Sequence, residues 1–402
     1  MAAKGMNVNM KVALFAETYV PDVNGVVAHV QTLKDGLEKL GHSVMVVAAD
    51  KKAKHHYVED GVLHCPAKES KHFYGFGVAL PFSSERRRII REFDPDILHI
   101  HQEFGVGFSG LRVSRRLEKP LVYTLHTMYD QYIHYIAPKR LLKVARNFSR
   151  KYIRFIARRA TVLTGPSQKC AEYFKSIGIQ KEFHLIPNSA DLDIFDPAKV
   201  SEEQKAAFRK QYGIPEDAFL ACFCGRLGKE KSIDVLIEFI AGTLTKEDNV
   251  HLVVIGEGPD KESLQKLAQD LGISDMVTFT GLISHDNMPV CLAACDIYAT
   301  ASLSEMNSIS MLEGMASGLA VLQRYDELNA NQILVGENGY LFNTKEEMAG
   351  KIREIKALSR EQKLALRQSV IGTVKSRGST ELAEYILTVY EEAIALNGAA
   401  MS

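Results

Sequence analysis

Two glutamates eight positions apart, Glu305 and Glu313 in SLSEMNSISMLEGMASGLAV, form the most specific spacing in this 402-residue chain. The first follows an apolar run. The second lies in a helix-like segment that Ser308 is placed to cap. The backbone N–H groups of Met306, Asn307 and Ser308 then gather at a helix N-terminus, which favours an anion. A carboxylate on either side of that anion could grip paired hydroxyls, one pair on a sugar and one on a ribose. Two ordinary glutamates beside a helix start would show the same spacing.

Arg226 and Lys231, in GRLGKEKSID, stand between an apolar run and a helical one. A guanidinium and an ammonium there suit a diphosphate and its leaving-group charge; plain surface charge is the other reading. Asn24 and Gly25, in PDVNGVVAHV, mark another strand-to-helix turn, where glycine lets a ligand approach closely. The full GxGxxG spacing of a dinucleotide site is missing. Gly256, in IGEGPDKESL, either walls a nucleotide pocket or makes a simple turn. His126 closes the apolar run PLVYTLH, at a strand end where doubly wound sheets bind ligands. A lone histidine is equally often structural.

These residues need a scaffold, and the chain supplies it twice. KVALFAE, SVMVVAA, PDILHIHQ, PLVYTLH and ATVLTGPS read as strands separated by helices, the first helix being GVVAHVQTLKDGLEKLGH. Apolar strands alternating with helices imply a parallel sheet covered on both faces. LIPNSADLDIFDP then breaks the pattern. It restarts with AFLACFCGR, VHLVVIGEGP, VTFTG, CDIYATAS and LAVLQ, and ends in helices, the last from about 380 to 396. The expected fold class is α/β, with two Rossmann-like, doubly wound parallel-sheet domains facing a central cleft. The expected domains are residues 1–190, 191–378 and a C-terminal helix over 379–402.

Bulk composition sets limits. The chain has 49 basic and 49 acidic residues, 46% hydrophobic and 24% charged. That balance argues against a general nucleic-acid binder. Six cysteines without CxxC spacing argue for structural thiols and against a metal site. No secretory pattern and no apolar run of about 18 residues is read, so nothing is expected to span a bilayer. A reducing cytoplasm fits.

One local feature breaks the neutrality. Nine Lys or Arg residues lie between Lys139 and Arg159, with no acid from 131 to 171. Leu141, Ala145, Phe148, Tyr152 and Phe155 fall on one helical stripe, and Lys139, Lys143, Arg146, Arg150 and Arg154 on the opposite side. A core-packed helix with a solvated face would normally mix both signs on that face. Docking on an anionic membrane surface is the alternative, at about 1 kcal/mol per basic residue. The expected docking residues are Lys139, Arg140, Lys143, Arg146, Arg150, Lys151 and Arg154. The stripe faces either lipid or the core. ERRRIIREF, from Glu85 to Phe93, extends the basic patch.

Taken in order, the glycine turn, the strand ending in His126, GRLGKEKSID, IGEGP and SEMNSISMLEGMASG resemble the retaining nucleotide-sugar glycosyltransferases of family four, which have the GT-B fold. The likeness covers almost the whole chain. Within that family, ETYVPDVNGVVAHVQTLKDGLEKLGH, PDILHIHQEFGVG and YTLHTMYDQYIHYI are similar to the bacterial diacylglycerol glucosyltransferases.

The resemblance implies transfer of glucose from UDP-glucose to a lipid acceptor, the 3-hydroxyl of 1,2-diacylglycerol, with retention and without a metal or other cofactor. It implies an acceptor-binding first domain, a donor-binding second domain, and an enzyme peripheral on the inner face of the plasma membrane. His126, Arg226, Lys231 and Glu305 would be catalytic. Glu313 would bind the ribose and Glu305 the hexose, Arg226 and Lys231 the diphosphate, and Ile283 the base through its backbone. Asn24, Gly25, Gly256, Met306, Asn307 and Ser308 would complete the substrate site. Met306, Asn307 and Ser308 replace the family's usual Gly-containing run, and Ser189 and Ala320 replace a usual Gly and Pro. The alternatives are a soluble nucleotide-sugar glycosyltransferase with a small-molecule or polysaccharide acceptor, and a nucleotide-sugar-binding protein without activity.

Overall fold

KVALFA shows why this chain builds parallel sheets: every residue after Lys11 is buried, so the strand needs cover on both faces. The structure, a computed structural model, describes residues 9–22, 24–69, 76–132, 139–189, 192–305, 307–375 and 377–401. The chain forms two compact units, Met1–Ser189 with Ser379–Ser402, and Ala190–Gly378.

The first unit holds β1 (Lys11–Ala16), β2 (Ser43–Asp50), β3 (Tyr57–Glu59), β4 (Val62–Glu69), β5 (Gly77–Ala79), β6 (Ile97–Ile100), β7 (Leu121–Thr124), β8 (Val162–Gly165) and β9 (Phe183–Leu185). Their order is β3-β4-β2-β1-β6-β7-β8-β9, with β5 on β4. Only β3 and β5 run antiparallel, both against β4. The helices are α1 (Gly25–Lys39), α2 (Ser84–Phe93), α3 (Gly105–Leu117), α4 (Tyr129–Tyr132), α5 (Leu142–Ala157) and α6 (Gln168–Ser176). Strand order reverses between β1 and β6, so the carboxyl ends of those strands diverge into a crevice.

The second unit holds β10 (Phe219–Cys224), β11 (Val250–Ile255), β12 (Val277–Gly281), β13 (Ile297–Thr300), β14 (Ala320–Arg324) and β15 (Gly339–Phe342), all parallel, in the order β12-β11-β10-β13-β14-β15. This is the Rossmann order, with its switch point between β10 and β13. Its helices are α7 (Glu202–Gln211), α8 (Ile233–Thr243), α9 (Lys261–Asp270), α10 (Met288–Ala293), α11 (Ile309–Ala316), α12 (Lys345–Ala357) and α13 (Arg360–Val374). Leu236, Ile240, Leu264, Met348 and Ile352 bury α8, α9 and α12 against Ala221, Phe223 and Val254.

The last helix, α14 (Ser379–Met401), belongs to the first unit. Leu382, Ala383, Ile386, Val389 and Tyr390 join Val30, Leu33 and Leu37 of α1 in one core. The approach is so close that a Cβ on Gly36 would lie 2.0 Å from the Ser379 carbonyl oxygen. Each fully buried Leu or Ile here contributes about 1.5–3 kcal/mol. Strands β3, β4, β5, β9 and β15 were not expected from sequence. They are edge or near-edge strands, and β4 carries His64, Pro66, Lys68 and Glu69, so the apolar signal is weak.

Candidate active site

In the second unit the switch-point loops come together. After β10, Gly225 has φ +155°, and after β11, Gly256 has φ +135°. A Cβ on Gly256 would stand 2.0 Å from the Gly225 carbonyl oxygen, so only glycine allows the two loops to meet. Gly256 is thus a packing requirement that shapes the turn carrying Arg226 to Lys231. Within that turn Arg226 donates to the Glu230 carboxylate at 2.5 Å. The Lys231 ammonium donates to Glu305 Oε1 at 2.6 Å. Ser302 and Ser304, after β13, donate their hydroxyls to the Glu230 carbonyl at 3.1 and 2.8 Å. Two cations and two carboxylates therefore share the crevice, each cation held by an acid.

Ser308 caps α11, accepting from the Met311 N–H at 3.3 Å. Tyr298 and Ser310 both donate to the Cys224 carbonyl, at 3.0 and 2.8 Å, and pin that helix start to the end of β10. Asn307 turns inward instead: its amide is buried and donates to Gln332 at 2.9 Å. Its side chain is a strut of the loop, whereas the expected contact with the anion is through its backbone N–H. Met306 lies outside the described residues. Glu313 is buried on α11, with His285 Nε2 3.6 Å from its carboxylate. His285 packs edge-on against Phe195 and sits two residues past the half-buried Ile283. Sequence reasoning passed over Glu230, His285, Tyr298 and Ser310, since their partners are remote in the chain or, for Glu230, one among several charges.

In the first unit the Asn24 side chain does not face outward. It caps α1, accepting from the N–H groups of Val26 and Val27 at 3.0 Å, and donates to Thr18 at 3.1 Å. Thr18 in turn donates its backbone N–H to Gln102 at 2.7 Å. Asn24 therefore holds the loop from β1 to the loop after β6, and Gly25, the first residue of α1, is exposed there.

His126 is not a lone histidine. Its Nε2 lies 3.1 Å from His101 Nδ1, and the His29 ring is 4.8 Å away, edge-on. The His99 ring lies tilted beside His101, centroids 4.0 Å apart, and bonds Tyr390 at 2.8 Å and Thr124 at 2.6 Å. Burial lowers the His29 pKa to about 4 and holds those of His99, His101 and His126 well below the usual value. All four imidazoles are neutral at neutral pH. His29, His101 and His126 each offer a nitrogen within 4.8 Å of the others, the one set of described residues in this crevice able to hold a metal ion. The His-x-His at the end of β6 was the available signal: adjacent parallel strands bring His101 and His126 to the same edge.

Two buried carboxyls flank the cluster. Glu17 accepts from the N–H groups of Ala79 and Val106 at 2.6 and 2.8 Å, and burial raises its pKa to about 7. Glu103 accepts from Tyr123 at 2.6 Å, and burial raises it to about 7 as well.

Comparison with known proteins identifies the family of this chain. Residues 23–194 match the model of Glycosyltransferase Family 4, and residues 204–370 that of Glycosyl transferases group 1. The alpha-monoglucosyldiacylglycerol synthase of Acholeplasma laidlawii is 30% identical over 95% of this chain and 94% of its own. The chain belongs to glycosyltransferase family 4. The synthase of the same name from Streptococcus pneumoniae is also 30% identical, over 86% of this chain and 78% of its own. The solved structure of sucrose-phosphate synthase from Thermosynechococcus elongatus has the same GT-B fold, with TM-score 0.75 at 18% identity, covering 96% of this chain and 99% of that one.

The basic helix of this glycosyltransferase is α5, entered by a turn over Lys139–Leu141. Its buried seam is Ile153, Ile156 and Ala157, so of the two faces left open for the apolar stripe the core is not the one most of it takes. Leu141, Val144, Phe148 and Phe155 are exposed, Phe148 by 71%. Arg140, Lys143, Arg146 and Lys151 are exposed beside them. Arg150 is turned to the protein, donating to the Ser176 carbonyl and hydroxyl at 3.0 and 3.1 Å. Arg154 is half-buried and lies against Gly178. Those two are corrected from docking to packing residues; the Lys139 side chain lies outside the description. Tyr152 donates to the Glu103 carbonyl at 2.5 Å, tying α5 to the histidine crevice. Among the described residues no helix is long and apolar enough to cross a membrane.

The buried cluster sets the acid response. Unfolded histidines protonate near 6.5, whereas the folded imidazoles stay neutral, so stability is lost as pH falls through that value. Glu17 and Glu103 act oppositely: their contribution is full below 4.5 and lost as pH rises through about 7. Four imidazoles outweigh two carboxyls by two protons, each worth about 1.4 kcal/mol per pH unit. The unfolding midpoint, followed by calorimetry, is expected to drop between about pH 7 and 5. The drop is smaller in His29→Gln. A midpoint that stays level over that range contradicts neutral burial of the four rings.

Proposed function

We propose that this glycosyltransferase moves glucose from UDP-glucose to 1,2-diacylglycerol at an anionic membrane surface, with retention of anomeric configuration. The observation that carries the reading is the likeness to monoglucosyldiacylglycerol synthases over nearly the full length of both chains. The exposed pairing of Phe148 and Leu141 with Lys143, Arg146 and Lys151 supports a lipid-borne acceptor, because such a surface favours the headgroup boundary.

On this reading Arg226 and Lys231 receive the charge of the departing diphosphate. Glu230 and Glu305 fix where those cations point, so little reorganisation accompanies bond breaking. Glu305 also accepts from hexose hydroxyls, and Glu313 from the ribose. Ser308 and the backbone of Asn307 lie at the positive start of α11 and favour the anion; Ile283 borders the base. His126, neutral at neutral pH, exchanges a hydrogen bond with a sugar hydroxyl, and Gly25 offers backbone. No side chain need act as nucleophile: the leaving oxygen departs and the acceptor attacks on the same face, with the diphosphate taking the acceptor's proton. Catalysis is then positioning and leaving-group stabilisation, without a metal cofactor, so EDTA should leave the rate unchanged.

The test is incubation with labelled UDP-glucose and diacylglycerol in phosphatidylglycerol-containing vesicles, followed by lipid extraction. Label in a glucosylated diacylglycerol with an α linkage is expected. Label recovered only in water-soluble products, or only from another nucleotide-hexose, overturns the acceptor or the donor respectively.

A further inference from the structure

Three imidazoles of the first unit converge from three different elements. His29 lies on the buried face of α1, His101 follows β6 and His126 follows β7. Their ring centroids are 4.8, 5.3 and 5.4 Å apart. Each ring offers one nitrogen within 4.8 Å of the other two, and His101 Nδ1 already stands 3.1 Å from His126 Nε2. Nitrogens bound to one tetrahedral Zn²⁺ at about 2.0–2.1 Å lie about 3.3 Å from each other. Two of the three are therefore at chelating distance, and the third reaches it by a shift of about 1.5 Å or less.

The cluster lacks what buried histidines ordinarily have. Both nitrogens of His29 and Nε2 of His101 are buried without hydrogen-bond geometry to any described group, although Asn188 is close enough to influence His29. A buried polar atom left unbonded is unfavourable, whereas a nitrogen that ligates a metal is satisfied. The mounts are rigid. His101 donates its backbone N–H to the Phe15 carbonyl at 2.9 Å, and Leu125, next to His126, donates to the Thr164 carbonyl at 3.0 Å. His99, packed against His101, is held by Tyr390 and Thr124. A ligand set fixed in this way needs little ordering on binding. His29 and His101 are buried and His126 is half-buried, so the cluster opens on the His126 side. The other described group with metal-ligand spacing, Glu182, His184 and Glu392, is accounted for by an ion pair, His184 to Glu392 at 3.0 Å.

We propose that His29, His101 and His126 form a binding site for a divalent transition-metal ion of the zinc class, and that its occupation inhibits the enzyme. Three imidazoles with no carboxylate or thiolate among them suit Zn²⁺, Co²⁺, Ni²⁺ or Cu²⁺ and not Mg²⁺ or Ca²⁺. Three protein ligands leave a coordination position for water on the half-buried side. The ion is an inhibitor and not a cofactor. It takes the His126 lone pair and fixes the ring, so His126 no longer exchanges a hydrogen bond with a sugar hydroxyl. The inhibition rests on the reading of His126 as a hexose contact; the metal site itself does not. In metal-free buffer the rate stays indifferent to EDTA.

The untagged full-length protein, stripped with EDTA and exchanged into metal-free buffer, is titrated with Co²⁺ while its visible absorption is recorded. Bands of four-coordinate Co²⁺ that saturate at one equivalent are expected, abolished by Zn²⁺ and unaffected by excess Mg²⁺. His29→Gln and His101→Gln should each weaken Co²⁺ by more than about 100-fold, beyond the cost of losing an outer partner of a ligand. His184→Gln should leave the titration unchanged. Because His29 and His101 are buried, the melting curve of each variant is recorded, and His126→Asn serves as a third variant at the half-buried end. Zn²⁺ should raise the unfolding midpoint of the parent and not of these three variants. Bands missing from the folded parent, parental affinity in the folded variants, or bands lost in His184→Gln overturn the site. Transfer of labelled glucose is measured at the same Zn²⁺ concentrations. Activity that falls with the bound fraction and returns with EDTA is expected. Metal held by the three rings with the rate unchanged overturns the inhibition, and with it the hexose contact of His126. Absence of transfer in the metal-free protein bears on the proposed reaction and not on the metal site.

Discussion

Lys231→Ala is expected to lower turnover at saturating donor by roughly 100-fold or more, the scale for removing one preorganised electrostatic group. The ammonium stands 2.6 Å from Glu305. Its loss removes a charge from the leaving diphosphate and leaves a carboxylate facing that diphosphate without its partner. Both effects grow as charge develops on the leaving oxygen, so kcat should fall more than KM rises. The residue is part-exposed, and removing an ion pair of that kind costs little stability. Lys231→Arg restores the charge but not the ammonium geometry, and should recover activity only partly. Near-normal turnover in Lys231→Ala, with a folded protein, removes Lys231 from the leaving-group site.

Charge reversal on α5, Lys143→Glu with Arg146→Glu and Lys151→Glu, is expected to weaken binding to phosphatidylglycerol-containing vesicles by more than about 100-fold. Three basic residues near an anionic leaflet supply about 3 kcal/mol, and 1.4 kcal/mol is a factor of ten; reversal adds repulsion to that loss. All three are exposed, so folding should be unaffected. Arg150 is left out because it ties α5 to Ser176. Parental binding should weaken steeply with added salt. Phe148→Ala provides the complementary reading, since its ring is exposed rather than in the core: weaker vesicle binding with unchanged salt dependence marks insertion of the ring. Sedimentation that is unaltered in the charge-reversed protein removes α5 from membrane contact.

Much of the architecture could be read locally. Runs such as FLACFC and VHLVVI are apolar throughout, and that alone demands a strand covered on both faces. The loop after FLACFC carries Arg226 and Lys231, and the loop after IYAT carries Glu305, because a doubly wound sheet offers its carboxyl ends to ligands. Asn24 was legible as a loop residue but not as a cap. Side chains of its type serve either role, and the choice depends on Thr18 and Gln102 being in reach. The α5 stripe stayed undecided between lipid and core for a similar reason, and Leu141, Phe148 and Phe155 are exposed. Helical period assigns residues to faces, but which face is buried depends on the neighbours, here in favour of Ile153, Ile156 and Ala157.

The amino-acid sequence by itself determined two α/β units, their long central strands, the chemistry-bearing loops and the one-sided charge of α5, since each follows from residues close together in the chain. Only the tertiary structure decided the strand order that opens each switch point, the gathering of His29, His99, His101 and His126 with Tyr390 of the last helix, and the pairing of Lys231 with Glu305. These join residues up to 291 positions apart. What brings them together is the burial of whole helix and sheet faces, a summed free energy that no short stretch of sequence displays.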